Sequence, residues 1–245
     1  MKFSNTSVMN FENAFRGLRN PKNSWDRSDS GKLYWDGTWY HEELKNYFTE
    51  YGVNFYIGEN DMKLAQTLIK AGNEHRKFMR QIFVSVDITA PLYWWKEFDT
   101  YKVGTVANST STMHKITSQP ITLDCFEIDD YEKDLKCLET YDSNIEVDYS
   151  TADFEANKFI NFLENLRQKY LETKDKRYWK ELIRWLPESW LQKRTITMNY
   201  ENVRNMYFQR RNHKLTEWSE SFIKWVESLP YAEELIMYDG RSEKP

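Results

Sequence analysis

The stretch QIFVSVDI, residues 81–88, constrains the fold more than any other part of this chain. Ile82, Val84, Val86 and Ile88 alternate with Phe83, Ser85 and Asp87. A period of two is the signature of a strand with one buried face. Upstream, DMKLAQTLIKAG sets Leu64, Leu68 and Ala71 near helical spacing and stops at Gly72. Downstream, Thr89 can cap a second helix, with Pro91 in its first turn and LYWWKEFD along its length. Three later helices follow by periodicity. Phe159, Phe162, Leu163, Leu166 and Tyr170 form one apolar face, and Trp179, Leu182, Ile183 and Leu186 another that ends at Pro187. TEWSESFIKWVESL turns Trp218, Phe222, Trp225 and Leu229 inward. The spacing therefore predicts an α+β (or α/β) class in which helices dominate, as a single domain over residues 1–245. Asn20 to Gly37 reads as loop or loose hairpin. The acidic, irregular stretch 116–153 reads as a variable peripheral lobe.

Composition narrows the function. Hydrophobic residues make up 40% and aromatics 16%, enough for a packed core. The ten tryptophans suit core and subunit packing, with ring stacking on a ligand for one or two of them. A net charge of -4 argues against a general binder of long nucleic acid or of membranes. No apolar run approaches the roughly 20 residues of a membrane span, and MKFSNTSVMNFENAF has no apolar signal core, so a cytoplasmic protein is expected. The sequon NST at 108–110 then carries no weight, and Cys125 and Cys137 read as free thiols. His41, His75, His114 and His213 are scattered, so no catalytic metal is expected. Walker, dinucleotide and nucleophile-elbow motifs are all missing.

Three segments hold the candidate chemistry. SWLQKRTITMNYENVRNMYFQRRNHK, residues 189–214, is a basic island in an acidic chain. Asn199 can cap its helix, Val203, Met206 and Tyr207 form an apolar stripe, and the next stripe position is Arg210. An arginine there must find a carboxylate, a backbone cluster, a subunit partner or an anionic ligand, unless it snorkels at the stripe's edge. Arg211 points elsewhere, to solvent. GNEHRKFMR, residues 72–80, joins helix to strand, and such connections often carry sites, although His75 also reads as a surface histidine. TYKVGTVANSTST, residues 100–112, is rich in hydroxyls with Lys102 as its one charge, and by itself reads as a polar loop.

Taken in order, these segments resemble the flavin-dependent thymidylate synthases (thymidylate synthase complementing proteins), and the chain looks like a divergent member. The first is LAQTLIKAGNEHRKFMRQIFVSVDITAPLYWWKEF, similar to the family's helix, His-Glu turn, strand and A-P-opened helix. The second is the hydroxyl-rich stretch, where the family's R-H-R, seven residues, then S becomes Thr100-Tyr101-Lys102 and Thr110. In the third, the family's L-P, basic residue, T-V-N and helix arginine become Leu186-Pro187, Lys193 (or Arg194), Thr197-Met198-Asn199 and Arg210. The resemblance implies a central twisted, mostly antiparallel sheet flanked by helices, in a homotetramer with active sites between subunits. It implies reductive methylation of dUMP to dTMP, with FAD, NADPH and methylene-tetrahydrofolate and without a cysteine nucleophile. By the same carry-over His75 (or Asn73), Tyr101, Lys102, Asn199 and His213 lie on the cofactor side. Glu97, Asn108, Lys193, Arg194 and Arg210 lie on the substrate side, with Arg210 and Thr110 as catalytic positions. The chain departs from the pattern at Thr100, Asn108 and Thr112, where two arginines and an acid are replaced. Hydroxyls and amides then stand where cations would hold a nucleotide, and Lys193, Arg194 and Arg80 can supply charge instead. An altered homologue that binds a nucleotide or flavin without chemistry or takes a different pyrimidine substrate, and an oligomeric structural protein, are the competing readings.

Overall fold

The computed structural model describes residues 1–33, 42–140 and 148–240. Its strands are β1 (Lys2–Met9), β2 (Gly31–Lys32), β3 (Phe55–Tyr56), β4 (Phe83–Pro91), β5 (Val106–Ser109), β6 (Lys136–Thr140), β7 (Asp148–Thr151) and β8 (Leu191–Asn199). Its α-helices are α1 (Phe11–Leu18), α2 (Glu42–Tyr51), α3 (Glu59–Lys70), α4 (Leu92–Phe98), α5 (Thr112–Lys115), α6 (Ala152–Thr173), α7 (Lys176–Arg184), α8 (Tyr200–Arg210) and α9 (Ile223–Glu227). Four strands make the main antiparallel sheet in the order β1-β4-β8-β5, and β2-β3 and β6-β7 form two small pairs. The α+β class and the sheet expected from the sequence are both present.

The chain divides into two compact units. The larger comprises 2–88, 98–108 and 194–245, and the smaller comprises Met1, 89–97 and 109–193. In the larger unit, Val84, Val86 and Ile88 of β4 and Ile82 just ahead of it are buried as their alternation requires. Aromatic rings pack in the same core: Phe11 meets Tyr200 edge-on at 5.6 Å, and Phe3 stacks on Trp225 at 4.9 Å. Trp218, Phe222, Trp225 and Leu229 are buried as predicted, the first two on a π-helical turn (Glu217–Phe222), Trp225 on α9, into which that turn runs, and Leu229 just beyond it. The inner face of α3 is Asp61, Ala65 and Ile69 rather than Leu64, Leu68 and Ala71. Asp61 shifts it: its buried carboxylate accepts from Arg19 Nε at 2.6 Å and Ser28 Oγ at 2.6 Å. Burial alone would raise this carboxyl's pKa, but the bonds from Ser28, Ser30 and Arg19 hold it below the usual value.

In the smaller unit, Ile116, Ile121, Phe126, Ile160, Leu163, Leu182 and Trp190 form one buried cluster. The segment after Ile116, read from its acidity as peripheral, thus supplies core residues at its start. On α6 the inward residues are Ile160, Leu163 and Arg167, while Phe162 stays exposed against Trp185. The face is offset from the predicted one because Arg167 goes inward. It donates from Nε and Nη2 to Glu164 at 2.8 Å each, and from Nη1 to the Thr117 carbonyl at 3.1 Å. The α4 helix starts at Leu92, later than the Thr89 cap predicts, because β4 continues through Pro91. Its first amides, of Leu92 and Tyr93, donate to the carbonyls of Trp190 and Glu188. The predicted loop from Asn20 becomes two short 3-10 turns and β2, with residues 34–37 outside the described residues. Cys125 and Cys137 are free. Trp94, Trp95, Trp190, Trp218 and Trp225 are buried, Trp25 and Trp185 half exposed, and Trp35 and Trp39 lie outside the described residues. No helix among the described residues is long and apolar enough to cross a membrane.

Candidate functional site

The hydroxyl-rich stretch is not a free loop; its two halves are fastened to different elements. In the larger unit, residues 100–105 lie along α8. Asn199 caps that helix, its Oδ1 accepting from the Asn202 amide at 3.0 Å. Asn202 Nδ2 donates to the Val103 carbonyl at 2.6 Å and to Thr105 Oγ1 at 3.0 Å. Gly104 sits at φ 73°, and a Cβ there would come within 2.8 Å of Asn199 Nδ2. The turn therefore depends on glycine both for its backbone and for its closeness to Asn199. Tyr101 O–H donates to Gln209 Oε1 at 2.9 Å and accepts from Arg210 Nε at 2.8 Å. Thr100, Tyr101, Lys102, Val103, Asn202 and Asn205 enclose a small cleft of about 200 Å³.

The second half, residues 109–112, belongs to the smaller unit. Thr110 donates its amide and its hydroxyl to the Lys193 carbonyl, at 2.9 and 3.1 Å. Gln192 Nε2 donates to the Thr110 carbonyl at 3.0 Å and to Thr112 Oγ1 at 3.2 Å. Ser111 Oγ accepts from the His114 amide and starts α5. This anchored segment walls a cleft of about 680 Å³. Thr89, Thr110, Ser111, Thr112, Ser118 and Thr122 line it with hydroxyls. Lys115 and Lys193 give it positive charge, Asp124 one negative charge, and Trp190, Ile116 and Leu191 an apolar side. Its size is that of ordinary small-molecule sites. The opposite wall is held from behind. Glu164 accepts from the Ile121 amide and Arg167 holds the Thr117 carbonyl, which fixes Ser118, Gln119 and Pro120. The Arg167 guanidinium is the main cause that draws the Glu164 carboxyl down to about 2, against the opposing effect of burial.

The residues singled out from sequence fall into separate groups. Thr110 and Lys193 share the large cleft, and Glu97 lies half-buried near the end of α4 in the same unit. Tyr101 and Arg210 meet at the C-terminal end of α8 and Asn199 caps its N-terminal end, with Lys102 and Tyr101 on the small cleft. Arg210 is partly buried, as a stripe arginine should be, and Arg211 is exposed. Arg194 Nη1 donates to Asp99 Oδ1 at 2.8 Å. Asn108 is exposed on β5, and His75 and Asn73 are exposed ahead of β4. His213 Nδ1 accepts from the Leu215 amide at 3.2 Å. The reading missed Trp218, whose ring faces Arg210, and it missed Lys115, Asp124 and Trp190. It also missed a legible signal: Asn199, Asn202, Asn205 and Gln209 form an amide stripe at helical spacing, the edge that holds the 100–105 turn.

No protein-family model matches the chain, and no curated protein matches it. Solved structures do. The chain is similar to Thymidylate Synthase X (ThyX) from Helicobacter pylori, crystallised with FAD and dUMP, with a TM-score of 0.62, 15% identity, and 96% of this chain and 97% of that one covered. A second structure of ThyX from Helicobacter pylori, complexed with FAD and dUMP, gives a TM-score of 0.60 and 15% identity over 96% and 98% of the two chains. The fold is the ThyX fold. At this identity the likeness is one of architecture, carried over nearly the whole length of both chains.

Proposed function

We propose that this ThyX-fold chain binds a pyrimidine nucleoside monophosphate of the dUMP type, with the phosphate held in the hydroxyl-lined cleft. The observation that carries the reading is the cleft's donor set. Thr112, where the family pattern has its trailing arginine, lines the cleft with other hydroxyls beside two lysines, Lys115 and Lys193. A phosphate dianion accepts from both kinds of group, and the lysines supply the opposite charge. Asp124 repels a phosphate and suits a sugar hydroxyl, so it sets which way round a nucleotide lies. Trp190 and Leu191 give the ligand an apolar wall.

A second reading is favoured by the FAD and dUMP in the structures of like fold. It is reductive methylation of dUMP to dTMP, with FAD, NADPH and methylene-tetrahydrofolate, in a homotetramer. The cofactor-side residues test it. The single hydrogen of the Tyr101 hydroxyl goes to Gln209, Asn199 Oδ1 caps α8, and His213 Nδ1 takes the Leu215 amide. The cleft beside them, about 200 Å³, is below the roughly 300 Å³ at which small-molecule sites begin. These groups of one chain make up at most part of a flavin site, which the family pattern divides between subunits, so the mechanism stated for this chain is confined to nucleotide recognition.

Titration calorimetry decides between the readings. dUMP should bind, with deoxyuridine at least about tenfold weaker, since two exposed lysine contacts to phosphate contribute around 0.7 kcal/mol each. Exchanging Lys115 and Lys193 together for Ala should remove that difference. No heat with dUMP, or equal binding of dUMP and deoxyuridine, overturns the proposal. A flavin absorption band in the purified protein, with dTMP formed on adding NADPH and methylene-tetrahydrofolate, makes the second reading the right one.

A further inference from the structure

We propose that the larger unit holds a saccharide site, for a pyranose that carries one carboxylate, in the cleft beside Trp25. This cleft measures about 520 Å³ and is lined by Asn13, Arg16, Gly17, Asn20, Trp25 and Gln81. All six belong to the larger unit, whereas the hydroxyl-lined cleft belongs to the smaller one. Its size is that of a small-molecule site. Trp25 is 51% exposed, yet its indole is not loose. Nε1 donates to Asn20 Oδ1 at 2.9 Å, which sets the plane of the ring and leaves its surface open.

A chain of side-chain amides sets the guanidinium. Asn10, in a left-handed backbone at φ 76° just ahead of α1, donates from Nδ2 to the Gln81 carbonyl at 2.8 Å. Its Oδ1 accepts from Asn13 Nδ2 at 2.6 Å, and Asn13 Oδ1 accepts from Arg16 Nη2 at 3.0 Å. Arg16 is thus steadied by a neutral amide rather than by a carboxylate, and no Asp or Glu lines the cleft among the described residues. Its charge and its remaining N–H groups are left for an anion. Gly17 makes room for the Gln81 carboxamide, whose Oε1 would lie 3.0 Å from a Cβ at that position. Three kinds of group therefore line one cleft: an indole face, carboxamides and a single cation. A pyranose matches all three. One face of its ring is made of C–H bonds and rests on an indole. Its hydroxyls both donate and accept, as the carboxamides of Asn20 and Gln81 do. A carboxylate on the ring takes a two-point contact from a guanidinium. A bare anion would leave the indole unused. An apolar ring would strip water from the carboxamides without replacing its hydrogen bonds.

The experiment is saturation-transfer NMR on the full chain, with methyl β-D-glucuronide, methyl β-D-glucoside and benzoate each titrated for a Kd. The glucuronide should bind, and the glucoside about two- to fivefold more weakly, the size of one exposed ion pair. Arg16→Gln should bring the glucuronide to the affinity of the glucoside and leave the glucoside unchanged. Trp25→Ala should weaken both sugars about tenfold through the lost ring contact. Both residues are exposed, and thermal melts check that each variant keeps the fold. Saturating dUMP should leave the sugar signals in place, so this site and the nucleotide reading stand or fall separately. The proposal is overturned if neither sugar shows transfer, if both bind the unaltered protein equally, or if a folded Trp25→Ala binds them as before. Benzoate binding as tightly as the glucuronide would make the cleft a site for aromatic acids and overturn the saccharide class. Loss of the sugar signals on adding dUMP would place the sugar in the hydroxyl-lined cleft and count against the site as well. A change of oligomeric state in Trp25→Ala, read by sedimentation, would make the indole a subunit contact and end the proposal.

Discussion

At the scale of single residues, the 100–105 turn rests on a glycine and an asparagine that do unlike things. Gly104 takes a left-handed backbone at φ 73°, and the space its Cβ would fill is occupied by the amides of Asn199 and Asn202. Gly104→Ala should therefore cost about 1–2 kcal/mol for the backbone alone, with more for displacing Asn199 Nδ2. Chemical denaturation of the pure variant measures it, and a change under about 0.3 kcal/mol would mean that the turn is not held as described. Asn199→Ala should cost about 1 kcal/mol through the lost cap of α8. The cap was legible in the sequence, because a helix start depends only on the residues around it. The turn's attachment was not. Nothing local says that Val103 and Thr105 meet Asn202, almost a hundred positions away. The amide stripe on α8 was the available clue, and it marked the receiving surface without saying what it receives. Arg210 shows the same limit, since its place on an apolar stripe promised a partner and only the fold supplied Tyr101 and Trp218.

At the scale of an element, α6 shows how a charged pair can shape a cleft wall without lining it. Glu164 and Arg167, one turn apart, hold the Ile121 amide and the Thr117 carbonyl, and between those points lie Ser118, Gln119 and Pro120. Periodicity found the helix but offset its inner face, because hydrophobicity rules place an arginine outside and here the arginine goes in. The β4 strand was read correctly for the converse reason. Its buried residues are all aliphatic, so pattern and packing agree. The Glu164 carboxyl is lowered to about 2 from an ordinary 4.5. A carboxyl whose folded pKa is depressed stabilises the fold fully above its unfolded pKa, and the benefit is lost as pH falls towards the folded value. The Glu164 contribution is therefore whole at neutral pH and declines between about 4.5 and about 2. Glu164→Gln should lower the melting temperature near pH 7, and the gap to the unaltered protein should narrow as the pH falls through that window. A gap of the same size at pH 7 and pH 3 would show that the ionised carboxylate is not what holds the wall.

At the scale of the whole molecule, the order of the pieces was readable while their contacts were not. The chain passes between its two compact units at 1–2, 88–89, 97–98, 108–109 and 193–194, so neither unit is one continuous stretch. The family likeness appeared in the ordered spacing of three segments, and it survives at 15% identity because a fold tolerates replacement wherever volume and polarity pattern are kept. Ligand chemistry is less tolerant. A hydroxyl does not carry the charge of an arginine, so at positions such as Thr100 and Thr112 likeness of fold does not by itself carry likeness of function. Stability gives a test of function that needs no assumption about catalysis. A ligand that binds only the folded chain at 100 times its Kd adds about 2.7 kcal/mol. For a chain of this size that raises Tm by roughly 5–10 °C. Saturating dUMP should give such a shift, and deoxyuridine at the same concentration a much smaller one. Raising the salt to about 0.5 M should shrink the dUMP shift, because the contacts of Lys115 and Lys193 are exposed and screened. If dUMP and deoxyuridine shift Tm equally and salt leaves both untouched, the cleft is not reading a phosphate. The hydroxyls from Thr110 to Thr112 would then be part of the scaffold and of no site.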